Sequence, residues 1–156
     1  MNAPLDPRAR PDALDADRLS DADALLALAK GSKTFAFAGW FLPADRRTDA
    51  ARLYAFCRYV DDLADDAPDV ATARIALDGV RAELRGEAPA GPIVGALIDL
   101  LTRCRVDVGI AEALVEGVSS DLDEVRLADD AALLRYAYRV ASTVGLMMCG
   151  VLGVDN

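Results

Sequence analysis

Four side chains near the middle of the 156-residue sequence carry its most pointed chemistry: Tyr54, Arg58, Asp61 and Asp65, spaced four, three and four apart. On an α-helix that spacing sets a phenol, a guanidinium and two carboxylates along one narrow stripe. Two carboxylates one turn apart repel by roughly a few tenths of a kcal/mol on a solvated helix, and by more where water is excluded. A divalent cation removes the repulsion. Mg2+ is commonly held by one or two carboxylates, with phosphate oxygens and waters completing its shell. The stripe therefore suits a metal ion plus a diphosphate. The same spacing also occurs on ordinary solvated helices. Against that bland reading stands the apolar turn ahead of the acids, with Leu53, Phe56, Cys57, Tyr59 and Val60. Apolar residues nearly all round predict a helix buried inside a larger helical body. Buried acids need a partner or an ion, and Arg58 alone cannot neutralise Asp61, Asp62, Asp65 and Asp66.

A second unusual stretch runs from Gly31 to Pro43, where Ser32, Lys33 and Thr34 precede Phe35, Phe37, Trp40 and Phe41. The hydroxyls and the lysine could donate to a diphosphate, and Phe35 could stack on a polyene or a carbocation. By itself, the stretch reads more simply as a helix–helix corner whose aromatics fill the core and whose hydroxyls cap. Further on, Asp121 and Asp123 stand at the end of a predicted helix, where a solvated terminus is as natural as a site. In the last predicted helix Tyr136, Val140 and Val144 repeat by four, with Ala141 and Gly145 beside them. That face of small apolar residues fits either a tight helix–helix seam or the wall of a slot for a slim apolar chain.

The elements that must position these groups are all helical. Ala, Leu, Arg, Asp and Glu dominate, and Val/Ile/Thr strand runs are scarce. Ser20 followed by Asp23 predicts a helix start, and Gly31 its end. The central helix is expected from about Ala44 to Asp66, stopping before Pro68. Others are expected over about Val70–Arg85, Ile93–Cys104 and Ile110–Val125, and from Asp129 or Asp130 to Leu152. Residues 1–19, with three prolines, read as a flexible arm. The expectation is an all-α fold of about six helices in one domain over residues 20–156.

Bulk properties narrow the function. A net charge of −9 argues against nucleic acid as the main partner. An acidic chain that handles an anionic substrate needs metal to bridge the two. With no histidine, Ser-His and Cys-His chemistry and His-ligated zinc are excluded. Cys57, Cys104 and Cys149 are far apart and in apolar helical settings, which predicts buried free thiols in a reducing compartment. The polar, acidic first twenty residues lack the apolar core of a signal peptide. The longest uncharged run, Val140 to Val154, is short for a membrane span. A cytoplasmic location is expected, with peripheral membrane contact left open.

Three blocks together resemble the squalene/phytoene synthases, enzymes that join two prenyl diphosphates head to head. They are Gly31 to Phe35, Leu53 to Asp66 and Tyr136 to Met148, within a similarity covering about Leu25 to Gly153. The resemblance implies an isoprenoid-synthase-type helical bundle and a Mg2+-dependent transferase, with Mn2+ as a substitute. It implies that Asp61 and Asp65 form the first aspartate-rich motif, which holds metal on the substrate diphosphate, with Tyr54 and Arg58 beside it. Ser32, Lys33, Thr34 and Phe35 match the flap and phosphate-contacting segment. Asp121 falls where the family has an acid lining the cavity. Tyr136, Val140, Ala141, Val144 and Gly145 match the wall that receives the prenyl chains.

The implied reaction is condensation of two geranylgeranyl diphosphates to phytoene through a cyclopropyl diphosphate. Squalene or dehydrosqualene synthesis from two farnesyl diphosphates is the alternative. One departure matters. The family carries a second aspartate-rich motif, and none follows Gly145 here. The sequence thus looks like the N-terminal half of a family member. It is expected to have little turnover alone and to expose apolar surface on its last helix, favouring self-association. An inactive prenyl-diphosphate-binding chain is the reading from another class.

Overall fold

Helix starts in this chain are written in its caps, as the computed structural model shows. Residues 20–124 and 127–154 are described, without the side chains of Thr34, Phe35 and Ala36. The arm expected over residues 1–19 lies outside the described residues. Ser20 and Asp23 form a reciprocal capping box at the head of α1 (Asp21–Gly31), with Asp23 N–H donating to Ser20 Oγ at 3.2 Å. A short helix, α2 (Lys33–Gly39), follows after Ser32 alone.

The central helix α3 (Ala44–Asp65) follows Pro43 as expected and ends one residue before its predicted limit, with Asp66 as its cap. Asp69 caps α4 (Val70–Leu84) by accepting from Thr72 N–H at 2.8 Å. Pro92 opens α5 (Pro92–Cys104), where its missing N–H costs nothing. Asp107 caps α6 (Val108–Ser120), and Asp129 caps α7 (Asp130–Ala137), accepting from Gly109 and Ala132 at 2.8 and 2.7 Å. From α7 the chain passes through a π-helical turn, Tyr138–Ser142, into α8 (Thr143–Leu152). Gly153, at φ 71°, ends α8 in the left-handed region that glycine enters without strain.

The core is organised around α3, which packs against α1, α4, α5, α6 and α8. Its Leu53, Phe56 and Val60 meet Leu77 and Val80 of α4, Val94, Leu97, Leu100 and Leu101 of α5, Val115 of α6, and Met147 and Val151 of α8. Fully burying a side chain of this kind contributes about 1.5–3 kcal/mol, so this one cluster dominates stability. A smaller cluster of Ala24, Leu28 and Ala51, with Leu25 and Tyr54 against it, fixes α1 to α3. Among the described residues, Asp49 is the one buried charged residue. Arg103 of α5 reaches it at 2.9 Å and Arg52 at 3.4 Å, supplying the pairing a buried carboxylate requires.

Three expectations need correction. The stretch after Gly31 is not a mere corner, because Lys33–Gly39 is helical, and its aromatics do not fill the core: Phe37, Trp40 and Phe41 are 68%, 82% and 78% exposed. The helix expected to run to Val125 ends at Ser120, where Asp121 N–H turns back to the Gly117 and Val118 carbonyls. The final helix is not uniform, since the π turn inserts a residue into it. Among the described residues, no helix is long and apolar enough to cross a membrane.

Candidate functional site

The C-terminal half of α3 carries the stripe. Tyr54 is half-buried against the α1–α3 cluster, Arg58 is exposed, Asp61 is half-buried and Asp65 is exposed. The expectation of buried acids therefore holds only in part, through Asp61. Helix α3 is nonetheless central, and its acids emerge from the core rather than from an isolated surface helix.

Arg58 does not lie on Asp61 or Asp65. Its guanidinium pairs with Asp62, one turn further along. Both side chains of that pair are about half exposed, at 48% and 46%, so it contributes little to stability. Its order, cation before anion, is also the weaker one against the helix dipole. A pair so exposed leaves Arg58 free to exchange Asp62 for another anion. The electrostatics at Asp61 point the same way. Burial pushes its carboxyl above the ordinary carboxylate range, Arg58 pulls it back, and the charges of Asp65 and Asp62 push it up again. Negative charge is thus gathered at one point with insufficient countercharge.

Among the described residues no cluster of three or more metal-ligating side chains occurs. Asp61 and Asp65, one turn apart, supply two carboxylates. That donor set fits Mg2+, which takes one or two carboxylates with phosphate oxygens and water, and does not fit a closed structural metal. Cys57 lies beneath the stripe. Burial, and then the Asp61 charge, push its thiol up to about 12, so it takes no part as a nucleophile.

The segment ahead of α2 reaches the stripe through Tyr54. A Cβ on Gly31 would lie 3.0 Å from Tyr54 Cζ, so only glycine lets α1 end there. Ser32, half-buried, closes α1 with its N–H on the Leu28 carbonyl at 3.1 Å, and Lys33 is exposed at the start of α2. The Thr34 and Phe35 side chains lie outside the described residues.

The other predicted residues form a second group. Tyr136 stands close to Asp121, whose carboxylate, by hydrogen bonding and then by charge, raises the phenol above its ordinary range. Asp121 is exposed at the end of α6, and Asp123, two residues on, accepts from Arg74 at 3.1 Å and fastens α4. Tyr136 also lines a shallow cleft of about 290 Å³ with Ser120, Ala132 and Arg139. Tyr136, Val140 and Val144 are half-buried, while Ala141 and Gly145 face outward, and nothing lies within 4 Å of where a Gly145 Cβ would stand. The face is thus open on its Ala141–Gly145 side, while Val140 packs against Gly117 of α6.

The π turn that shapes this face has identifiable causes. Thr143 is fully buried, its N–H goes to the Tyr138 carbonyl, and its hydroxyl donates to the Arg139 carbonyl at 2.8 Å. Gly117 of α6 presses against the turn: a Cβ there would meet Arg139 Cβ at 2.9 Å and Val140 Cγ1 at 3.2 Å. Arg139 then reaches Glu116 at 2.8 Å. Sequence reasoning missed Asp62, Gly117 and Thr143. Only Asp62 left a signal, its spacing of four from Arg58.

A larger cleft of about 760 Å³ lies at the other end of α3, among Asp49, Arg46, Arg52, Arg103 and Arg105. It contains none of the predicted site residues. Three of its arginines serve structure: Arg103 and Arg52 hold Asp49, and Arg46 donates to the Val151 carbonyl at the end of α8. Of the cysteines, Cys57 and Cys104 are half-buried, but Cys149 is exposed, contrary to expectation, because it falls on the outer side of α8.

Comparison with known proteins gives the family of the chain. The family described as squalene/phytoene synthase matches residues 28–156. The chain is 36% identical over 142 residues to a 15-cis-phytoene synthase of Paracoccus sp., covering 83% of this chain and 46% of that protein. It is 34% identical over 131 residues to the chloroplastic phytoene synthase 1 of Arabidopsis thaliana, covering 81% of this chain and 31% of that protein. A crystal structure of a dehydrosqualene synthase in complex with ligand superposes with a TM-score of 0.70 at 27% identity, over 84% of this chain and 46% of that one. The chain thus spans half or less of the length of the relatives it matches.

Proposed function

The chain belongs to the squalene/phytoene synthase family, and from that premise we propose that it binds the diphosphate of a prenyl substrate on the Asp61–Asp65 face of α3. The reaction it serves is the phytoene-synthase type, condensation of two geranylgeranyl diphosphates through a cyclopropyl diphosphate. The observation that carries this reading is the charge imbalance at Asp61, which is raised by burial and by Asp65 and Asp62 and only partly relieved by Arg58. Asp61 and Asp65 would hold Mg2+, which supplies positive charge to the diphosphate as it leaves.

The chain's own residues do the rest. Arg58 exchanges Asp62 for a phosphate oxygen, a contact its planar fork suits. Lys33 and Ser32 close on the same group from the α1–α2 junction, where Gly31 fits against Tyr54. Tyr136, Val140, Ala141, Val144 and Gly145 offer the hydrocarbon an apolar wall, with Asp121 close to Tyr136 at its head. Because Asp65, Ala141 and Gly145 all stand exposed, these residues supply one side of a water-excluding slot. Turnover by this chain alone is therefore expected to be slight. Leu133, Leu134, Tyr138 and Leu146 are also exposed on α7–α8, and self-association there is expected to appear in sedimentation at rising concentration.

Calorimetric titration with non-ionising thiolo analogues of geranylgeranyl and farnesyl diphosphate tests the reading. Mg2+-dependent binding that is tighter for the longer analogue supports it. Preference for the shorter analogue would favour the squalene or dehydrosqualene alternative, to which the dehydrosqualene synthase likeness lends weight. Indifference to Mg2+ with both would remove it.

A further inference from the structure

The residues from Lys30 to Arg47 hold both lysines of the chain, its one tryptophan and three of its four phenylalanines. The structure turns that composition into a surface. At the end of α2 the chain winds tightly, with the N–H groups of Trp40, Phe41 and Leu42 bonded to the carbonyls of Phe37, Ala38 and Gly39 at 3.1, 3.2 and 3.1 Å. Leu42 packs on the main core and anchors the turn from below. Phe37, Trp40 and Phe41 project from it at 68%, 82% and 78% exposure, the two phenylalanines edge to face at 5.5 Å. Three large aromatics so displayed are not the scattered apolar exposure of an ordinary surface.

Cations ring them. Lys30 and Lys33 are exposed at the α1–α2 junction, and Arg47 lies alongside α2, where a Gly39 Cβ would stand 3.6 Å from its Cγ. Asp45 is the lone carboxylate between Lys30 and Arg47, in a chain whose net charge is −9. Aromatic rings with lysine and arginine beside them match the headgroup layer of an anionic bilayer, where rings sit among the glycerol and acyl carbons and cations meet phosphates. A second copy suits the patch poorly, because a two-fold contact across it would set these cations against themselves.

We propose that the α2 turn, through Phe37, Trp40 and Phe41 with Lys30 and Arg47, docks this chain on anionic lipid. This surface goes beyond the diphosphate chemistry and does not rest on it, although Gly31 brings its base against Tyr54.

Trp40 is the sole tryptophan, so its emission reports this patch alone. With vesicles of mixed phosphatidylglycerol and phosphatidylcholine, the emission is expected to shift to the blue, to be quenched by brominated acyl chains, and to revert at high salt. Pure phosphatidylcholine vesicles should bind far less. In co-sedimentation, Lys30→Gln/Arg47→Gln is expected to lose about 25-fold in partitioning, at roughly fivefold per cation. Trp40→Ser/Phe41→Ser is expected to lose it entirely while keeping its far-ultraviolet dichroism. An unshifted Trp40 in the presence of anionic vesicles would overturn the proposal. So would co-sedimentation indifferent to both double variants, or a blue shift that grows with protein concentration in the absence of lipid, which would assign the patch to a second copy.

Discussion

Tyr54 of α3 lies so closely over Gly31, the last residue of α1, that a Cβ at position 31 would stand 3.0 Å from the ring's Cζ and 3.2 Å from Cε1. This contact joins the α1–α2 junction to the stripe of Arg58, Asp61 and Asp65, and makes Gly31 a condition of the site's geometry. Gly31→Ala is expected to cost about 1–3 kcal/mol by overpacking, read from urea denaturation, and to weaken Mg2+-pyrophosphate binding as Tyr54 is displaced.

Gly145 provides the opposite case. Nothing stands where its Cβ would go, and it lies inside α8. Gly145→Ala is expected to stabilise the chain by about 0.5–1 kcal/mol through helix propensity. The added methyl narrows the wall proposed for the prenyl chain, so affinity for the geranylgeranyl thiolo analogue should fall while that for pyrophosphate stays constant. Affinities that change in parallel would remove Gly145 from the wall.

The Arg58–Asp62 pair separates stability from binding. Asp62→Asn is expected to change unfolding free energy by no more than about 0.5 kcal/mol, since the pair is exposed. It should leave pyrophosphate affinity equal or improved, because Arg58 no longer has to be released. Arg58→Gln should weaken that affinity roughly tenfold or more, the scale of a lost charge-assisted hydrogen bond, and Arg58→Lys should restore only part of it.

Asp61 gives a pH signature. Burial, with Asp65 and Asp62, raises its folded-state carboxyl against the pull of Arg58, so the folded chain binds that proton more tightly than the unfolded chain. Ionised Asp61 therefore detracts from stability above its folded pKa, and the loss disappears below the unfolded value of about 3.9. Asp61→Asn is expected to melt higher than the parent at neutral pH, and the two curves should converge as pH falls below about 4. A gap that widens toward acid would contradict this.

The thiols should sort by environment. At mildly alkaline pH the exposed Cys149 is expected to react promptly with an aromatic disulfide reagent, while Cys57, held at about 12 by burial and by Asp61, waits for unfolding. Mass mapping of early-labelled protein reads the order directly.

Much of the fold was legible because its boundaries are local chemistry. Ser20 with Asp23, Asp69, Pro92, Asp107 and Asp129 each act on the next turn of their own helix, and the apolar positions of α3 marked it as central. What was hidden depends on contacts distant in sequence. The π turn depends on Gly117 pressing against Arg139 and on the buried Thr143 hydroxyl, neither visible in the spacing of Tyr136, Val140 and Val144. The outward display of Phe37, Trp40 and Phe41 was misread because aromatic composition suggests core, and only packing decides exposure. At the site, the stripe itself was readable from spacing, but Arg58 had Asp61 and Asp62 within reach, and the sequence does not say which it chooses.

The most direct test of the central claim is calorimetric titration of pyrophosphate into the chain, with Mg2+ and with chelator, for the parent and for Asp61→Asn and Asp65→Asn. Binding is expected only with Mg2+, and each substitution is expected to weaken it by about tenfold or more while leaving helical dichroism intact. Binding of equal strength without Mg2+, or unchanged in both variants, would contradict the assignment of Asp61 and Asp65 to a metal-held diphosphate.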